Sequence, residues 1–273
     1  MRVSPDAFLR ATAVVLLALV AGCAAVPEAE PPIRYPEAAR DRLVRIALAE
    51  WEEWGRLFID HTGAEMAAPI EERREDDREA FTAVLAYWSS VPGREGTIAA
   101  NLTRFRSVED TETAYAPFWA DVPWSAAFVS FLARSAGYDR GDVPSADAHW
   151  RIVDAMMARE AAFPGRAAFG VASPADTAPV PGDMICATRG GERGRYPGPE
   201  DRAAEAGRAV PMHCDVVVGV RPGVVEAVGG NVGDAVRMAM LPALGDGRIA
   251  REGIEGGPEM PTWFVLFQNR AGR

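Results

Sequence analysis

The sequence has little of what metal and redox chemistry needs. Its 273 residues include only three cysteines and three histidines, with no C-x-x-C pair, no H-E-x-x-H and no glycine-rich Walker loop. Zinc centres and thiol oxidoreductases take clustered ligands at such spacings, so a metal, a cofactor and a nucleotide are not expected. Basic charge is also short: 29 Lys and Arg against 39 Asp and Glu give a formal net charge of −10. Nucleic-acid binding needs a basic footprint, so no nucleic-acid partner is expected. After residue 26 no apolar run approaches the roughly 20 residues that span a bilayer.

The first 26 residues have a different composition. Arg2 and Arg10 flank a positive start, and 11–20 form a short apolar run, the pattern of a signal peptide. Val20-Ala21-Gly22-Cys23 then resembles a bacterial lipobox. That motif implies removal of residues 1–22 and acylation of Cys23 with diacylglycerol and a palmitate-type chain, a stable membrane anchor. Ala24 in the next position directs the expectation to the periplasmic face of the outer membrane. An ordinary secretory signal and an uncleaved anchor are the alternatives. Cys186 and Cys214 remain, and outside the cytoplasm they can pair as one disulfide; two buried free thiols are the other reading.

Residues 23–36 are Pro- and Glu-rich and read as a tether. Leu43, Ala47, Trp51, Trp54 and Phe58 recur at helical spacing, and a second helix is predicted over 70–91, ended by Pro92-Gly93. These define an N-terminal helical extension, 37–110. From 111 to 273 the pattern predicts an α+β domain: helices over 124–136 and 146–160, then an antiparallel meander with strands at 183–188, 212–220, 224–230, 235–241 and 262–267. The polar stretch 189–210 exceeds what a hairpin needs and is a candidate lid or rim.

Alternation along 212–220 puts Cys214, Val216, Val218 and Val220 on one face, with His213 and Asp215 on the other. The valine face is core, so His213 points to a surface or cleft. The next strand ends in Gly229-Gly230-Asn231, which a hairpin returns to the neighbourhood of His213. Asn231 is either a turn residue capping its own backbone or a partner that fixes the His213 tautomer. Ser125 stands at the start of the 124–136 helix. Serine is a common N-cap, but Asp121 and Pro123 already supply a helix start, which leaves the hydroxyl available to a site.

The ordered set WSAAFVSFLARSAG, PGDMI, HCDVVVGV and GGN resembles the papain-like NlpC and CHAP amidase–endopeptidase superfamily. More closely it resembles an uncharacterised bacterial lipoprotein family, a domain of unknown function, within that branch. The resemblance covers about 111–268 and implies hydrolysis of peptide or amide bonds in cell walls. By position it makes His213 the general base, Asn231 its orienting partner, and Ser125 the occupant of the nucleophilic cysteine's seat. It also places the segment of His149 near the cleft, where the histidine either contacts substrate or is a packed or rim residue. From the residues themselves, Asp215 on the His213 face is a candidate to hold a ligand amine, and Asp183 flanks the cleft side of its strand. Trp124 is either part of an aromatic substrate wall with Tyr115 and Trp119 or core, the commoner place for aromatics before a core helix. Serine for cysteine is a departure: a hydroxyl stays protonated and depends on a base during attack. The expected partners are thus the membrane through its lipid and either peptidoglycan or an envelope protein. A silent relative that only binds is the alternative to a hydrolase.

Overall fold

In the computed structural model the described residues are 30–60, 65–66, 79–109, 118–250 and 262–273, with backbone alone at 65–66 and 108–109. The leader, Cys23, His61 and Tyr115 lie outside them. The elements in chain order are α1 (Glu37–Glu53), β1 (Leu57–Ile59), β2 (Glu65–Met66), α2 (Phe81–Ser89), α3 (Glu95–Glu109), α4 (Ser125–Ala136), α5 (His149–Ala162), β3 (Phe169–Ala172), β4 (Met184–Thr188), α6 (Pro199–Ala204), β5 (Met212–Arg221), β6 (Val224–Val232), β7 (Ala235–Pro242) and β8 (Trp263–Asn269). The α+β class predicted from the sequence is the class observed, and among the described residues no helix is long and apolar enough to cross a membrane.

Strands β4 to β7 form the expected meander, but β8 returns to the far side of β4. The sheet order is β2-β1-β7-β6-β5-β4-β8-β3. Every pairing is antiparallel except β1 with β7. Alternation sorts the side chains as the pattern predicts up to Val218; Val220, expected on the same core face, is exposed, beyond a shift of register between Val217 and Gly219. Cys214, Val216 and Val218 join the large core that includes the helices, whereas Ile185, Val217, Ala227 and Leu241 form a second core on the other face.

The first helix is shorter than the aromatic spacing predicts. Gly55 (φ 97°) and Arg56 (φ 59°) take left-handed backbone, which stops the helix, so Phe58 sits in β1 instead. Residues 31–273 fold as one unit, and described residues of α1 and α2, assigned by the sequence pattern to an N-terminal extension, share its core. Leu43 and Ala47 are buried with α4's Phe128. Trp54 stacks on Trp124 at 5.2 Å. Its Nε1 donates to the Tyr87 hydroxyl (2.9 Å), which donates to Glu50 (2.5 Å). Arg42 of α1 donates twice to the Ala136 carbonyl (3.0 and 2.8 Å), a cation at the negative end of α4. The helix predicted over 70–91 is observed as α2, with 67–78 outside the described residues, and α3 was not foreseen.

Cys186 and Cys214 face each other across β4 and β5 and are joined as a disulfide, with both residues fully buried. A bridge over a separation of 28 residues removes loop-closure entropy from the unfolded chain, about 3–4 kcal/mol in the chain-entropy treatment. Denaturant unfolding with reductant present is therefore expected to report stability lower by about that amount. Identical curves with and without reductant would mean free thiols.

Candidate active site

Ser125 is the first residue of α4, after Trp124 at the cap position, and no side chain caps the helix. Ser125 is thus not a capping serine. Its Oγ lies 2.9 Å from His149 Nε2, and both residues are only 4 % exposed. His149 is in turn the first residue of α5. The pair is a meeting of two helix starts.

Side chains of α4 hold the connection between the two helices. Ser130 Oγ accepts the Ala146 N–H (3.1 Å), and Arg134 donates to the Val143 and Asp139 carbonyls. Asp147 is ion-paired with Arg94, next to the start of α3. With 142–147 tied down on two sides, α5 begins at a set place, and its first side chain meets the hydroxyl.

The imidazole of His149 is held well below its ordinary pKa, first by burial and then by His213 and Arg189. It is therefore neutral at neutral pH, and in the tautomer that leaves Nε2 bare the serine hydroxyl donates to it. Nδ1 has no hydrogen-bond partner, so nothing orients the ring from behind as a carboxylate would. A stability consequence follows, with its sign. Below about pH 6.5 the unfolded chain takes up a proton that His149 refuses when folded, so stability falls as pH falls, by at most about 1.4 kcal/mol per unit. The variant His149→Gln is expected to lose this component, giving a shallower decline than the parent in urea melts from pH 6.5 downward. Parallel declines would mean that His149 titrates normally in the fold.

His213 lies beside this pair without joining it by a hydrogen bond. Its ring centroid is 5.3 Å from that of His149. Its Nε2 comes within 2.7 Å of Asp215 Oδ1, yet both ring nitrogens and that oxygen lack a hydrogen-bond partner. The short distance joins two side chains on one face of β5, close but misaligned. Asn231, the orienter expected from the resemblance, does not bond to His213. It takes φ 57° where the β6–β7 register slips between Gly229 and Val232.

The two glycines before Asn231 serve opposite faces of β6. A side chain at Gly229 would fall 2.0 Å from Asp215 Oδ1 and 2.7 Å from His213 Nε2. At Gly230 it would fall 2.5 Å from Phe128 Cγ. Gly229 therefore makes room for the His213–Asp215 pair, and Gly230 lets α4 come close to the sheet.

Of the two readings of Trp124, the core one holds: it is fully buried and stacks on Trp54. Asp183 fastens loops: it accepts the Val180 and Asn269 N–H groups at 2.9 and 2.8 Å. The 189–210 stretch is a folded flap. Fully buried Arg202 grips Asp154 of α5 with two bonds, 2.7 and 2.6 Å, and Arg195 grips Glu205 similarly. Among the described residues no group of three His, Cys, Asp or Glu is placed to hold a metal ion.

The group is thus Ser125 bonded to His149, with His213 and Asp215 adjoining. Its chemistry is that of a hydroxyl with a neutral base at a helix N-terminus, where uncommitted N–H groups favour developing negative charge. In comparisons with known proteins, a family model described as an uncharacterised protein conserved in bacteria (DUF2272) matches residues 75–268. No curated protein matches the chain, and no solved structure matches it.

Proposed function

The chain belongs to the DUF2272 family, and from that premise and the Ser125–His149 pair we propose a lipid-anchored cell-envelope protein with a papain-like, serine-based acyl-transfer site, acting on peptide or amide bonds of the cell wall. The observation that carries the reading is the 2.9 Å contact between Ser125 Oγ and His149 Nε2. In the proposed reaction His149 takes the hydroxyl proton as Ser125 Oγ attacks the acyl carbon. The N–H groups of the first turn of α4 stabilise the oxyanion. The proton passes to the departing amine, and water then releases the acyl group with His149 again as base. The envelope setting is supported by the lipobox resemblance at Val20–Cys23 and by a buried disulfide, a bond at home in oxidising compartments.

The resemblance to the superfamily assigned the base role to His213, and the geometry favours His149; single alanine variants at each separate the two. A second reading, a silent relative that binds an envelope glycopeptide or protein, has its own support. Ser125 and His149 are both nearly closed to solvent, and His149 lacks an orienting partner.

The deciding experiment is digestion of purified peptidoglycan by the chain from residue 24, beside Ser125→Ala and Ser125→Cys, read by mass of the released muropeptides. Products from the parent that vanish in the alanine variant establish the hydrolase. Cleavage by the cysteine variant alone means a site that lost its nucleophile. Silence from all three turns the reading to binding.

A further inference from the structure

Residues 31–35 run onto a face rich in arginine. Ile33, Arg34, Arg166, Arg270 and Arg273 help enclose a cleft of about 330 Å³. Arg273 also borders a second cleft, with Arg40, Arg45 and Val180, so the two share a wall. Contacts fasten the segments of this face to one another. The Gly272 N–H donates to the Tyr35 carbonyl at 3.0 Å, and Gly182 lies so close to Arg40 that a side chain there would fall 2.3 Å from its Cγ.

Two of the six arginines are committed, Arg40 to Glu37 (2.7 Å) and Arg270 to Glu160 (2.6 Å). Arg34, Arg45, Arg166 and Arg273 are exposed, as is Asp41, an acidic neighbour in the second cleft. Ile33 and Val180, on the same face, are large apolar residues left 51 % and 38 % exposed. The chain contains no lysine, so every cation here is a guanidinium, whose paired N–H donors match phosphate oxygens.

We infer that this face rests on an anionic phospholipid surface, with the four exposed arginines on phosphate groups and Ile33 and Val180 at the headgroup edge. Charge selects the partner. A chain of net charge −10 is repelled by an anionic membrane as a whole, and a local arginine face gives it one favourable orientation. Reach agrees. Cys23, the residue acylated on the lipobox reading, is eight residues from Pro31, about 26–29 Å at full extension. An anchored chain therefore keeps this face near the bilayer. Only this second argument rests on the proposed lipid anchor.

The test is co-sedimentation of the non-acylated chain from residue 24 with phosphatidylcholine vesicles, with and without phosphatidylglycerol. Binding is expected only with phosphatidylglycerol and is expected to weaken as salt rises. The combined variant Arg34→Glu, Arg166→Glu, Arg273→Glu should bind more weakly by roughly tenfold or more, with an unchanged melting temperature. Arg221→Glu, outside the face, should bind like the parent, and Ile33→Ser with Val180→Ser should weaken the association that survives salt. Equal binding to neutral vesicles, parent-like binding by the triple variant, or no binding by the parent would overturn the inference. So would capture by heparin without capture by vesicles. Incorporation of labelled palmitate at Cys23 reads the anchor separately, so failure of one does not mimic failure of the other.

Discussion

Ser125→Ala is expected to lower peptidoglycan cleavage by a factor on the order of 10⁴ to 10⁶, the usual consequence of removing the nucleophile where serine and histidine act as a unit. The same change has a structural cost. His149 is buried and its Nε2 has Ser125 as partner, while Nδ1 already has none. Loss of the hydroxyl leaves the ring without any hydrogen bond, at about 1–3 kcal/mol for an unsatisfied buried polar group. Two readouts therefore bear on one atom pair. Lost cleavage with lowered stability fits a reacting, hydrogen-bonded serine. Lowered stability with no parent activity leaves the geometry standing and removes the catalysis. Unchanged stability would show that the contact is not a hydrogen bond of any worth.

The second large effect lies in the flap. Arg202 is fully buried and donates two bonds to Asp154, one to the Tyr196 hydroxyl oxygen (3.0 Å) and one to the Arg208 carbonyl (2.9 Å). Asp154 Oδ2 also accepts the Gly207 N–H at 2.7 Å. Removing only the guanidinium leaves a mostly buried carboxylate without its counter-charge, and Arg202→Met is expected to cost about 3–5 kcal/mol. Replacing both partners, Arg202→Met with Asp154→Leu, should recover much of that loss, because the uncompensated charge goes with them. Urea unfolding of the two single variants and the double measures the coupling. Limited trypsin digestion at Arg193 and Arg195 reports whether the flap loosens first. A single variant as stable as the parent would mean that the flap is held elsewhere.

The flap also illustrates what composition hides. A run of Gly, Arg and Glu reads as solvated loop, yet Arg202 meets Asp154 only when α6 lies on α5, and Glu205 meets Arg195 and Tyr196 only when the stretch folds back on itself. Trp124 teaches the converse: an aromatic beside a candidate nucleophile looks like a substrate wall, and its burial depends on Trp54, seventy residues earlier. The helical pattern over 146–160 puts His149 within the helix, and only the structure makes it the first residue. Nothing in the spacing measures how the 137–148 connection folds back to bring it to Ser125.

Short-range periodicity governs the part of this protein that is legible in its sequence. Alternation placed His213 and Asp215 opposite the valine face and paired the strands of the meander. Helical spacing located α4 and α5, while Cys186 and Cys214 read equally as a bridge or as two buried thiols until the pairing of β4 with β5 brings them together. Long-range packing settles the rest: the parallel β1, the place of β8 beside β4, and above all which histidine meets Ser125. Local patterns fix which way a side chain points from its own element. The distance between two elements depends on long-range contacts such as Ser130 with Ala146 and Gly230 with Phe128, and these arise only once the chain has folded.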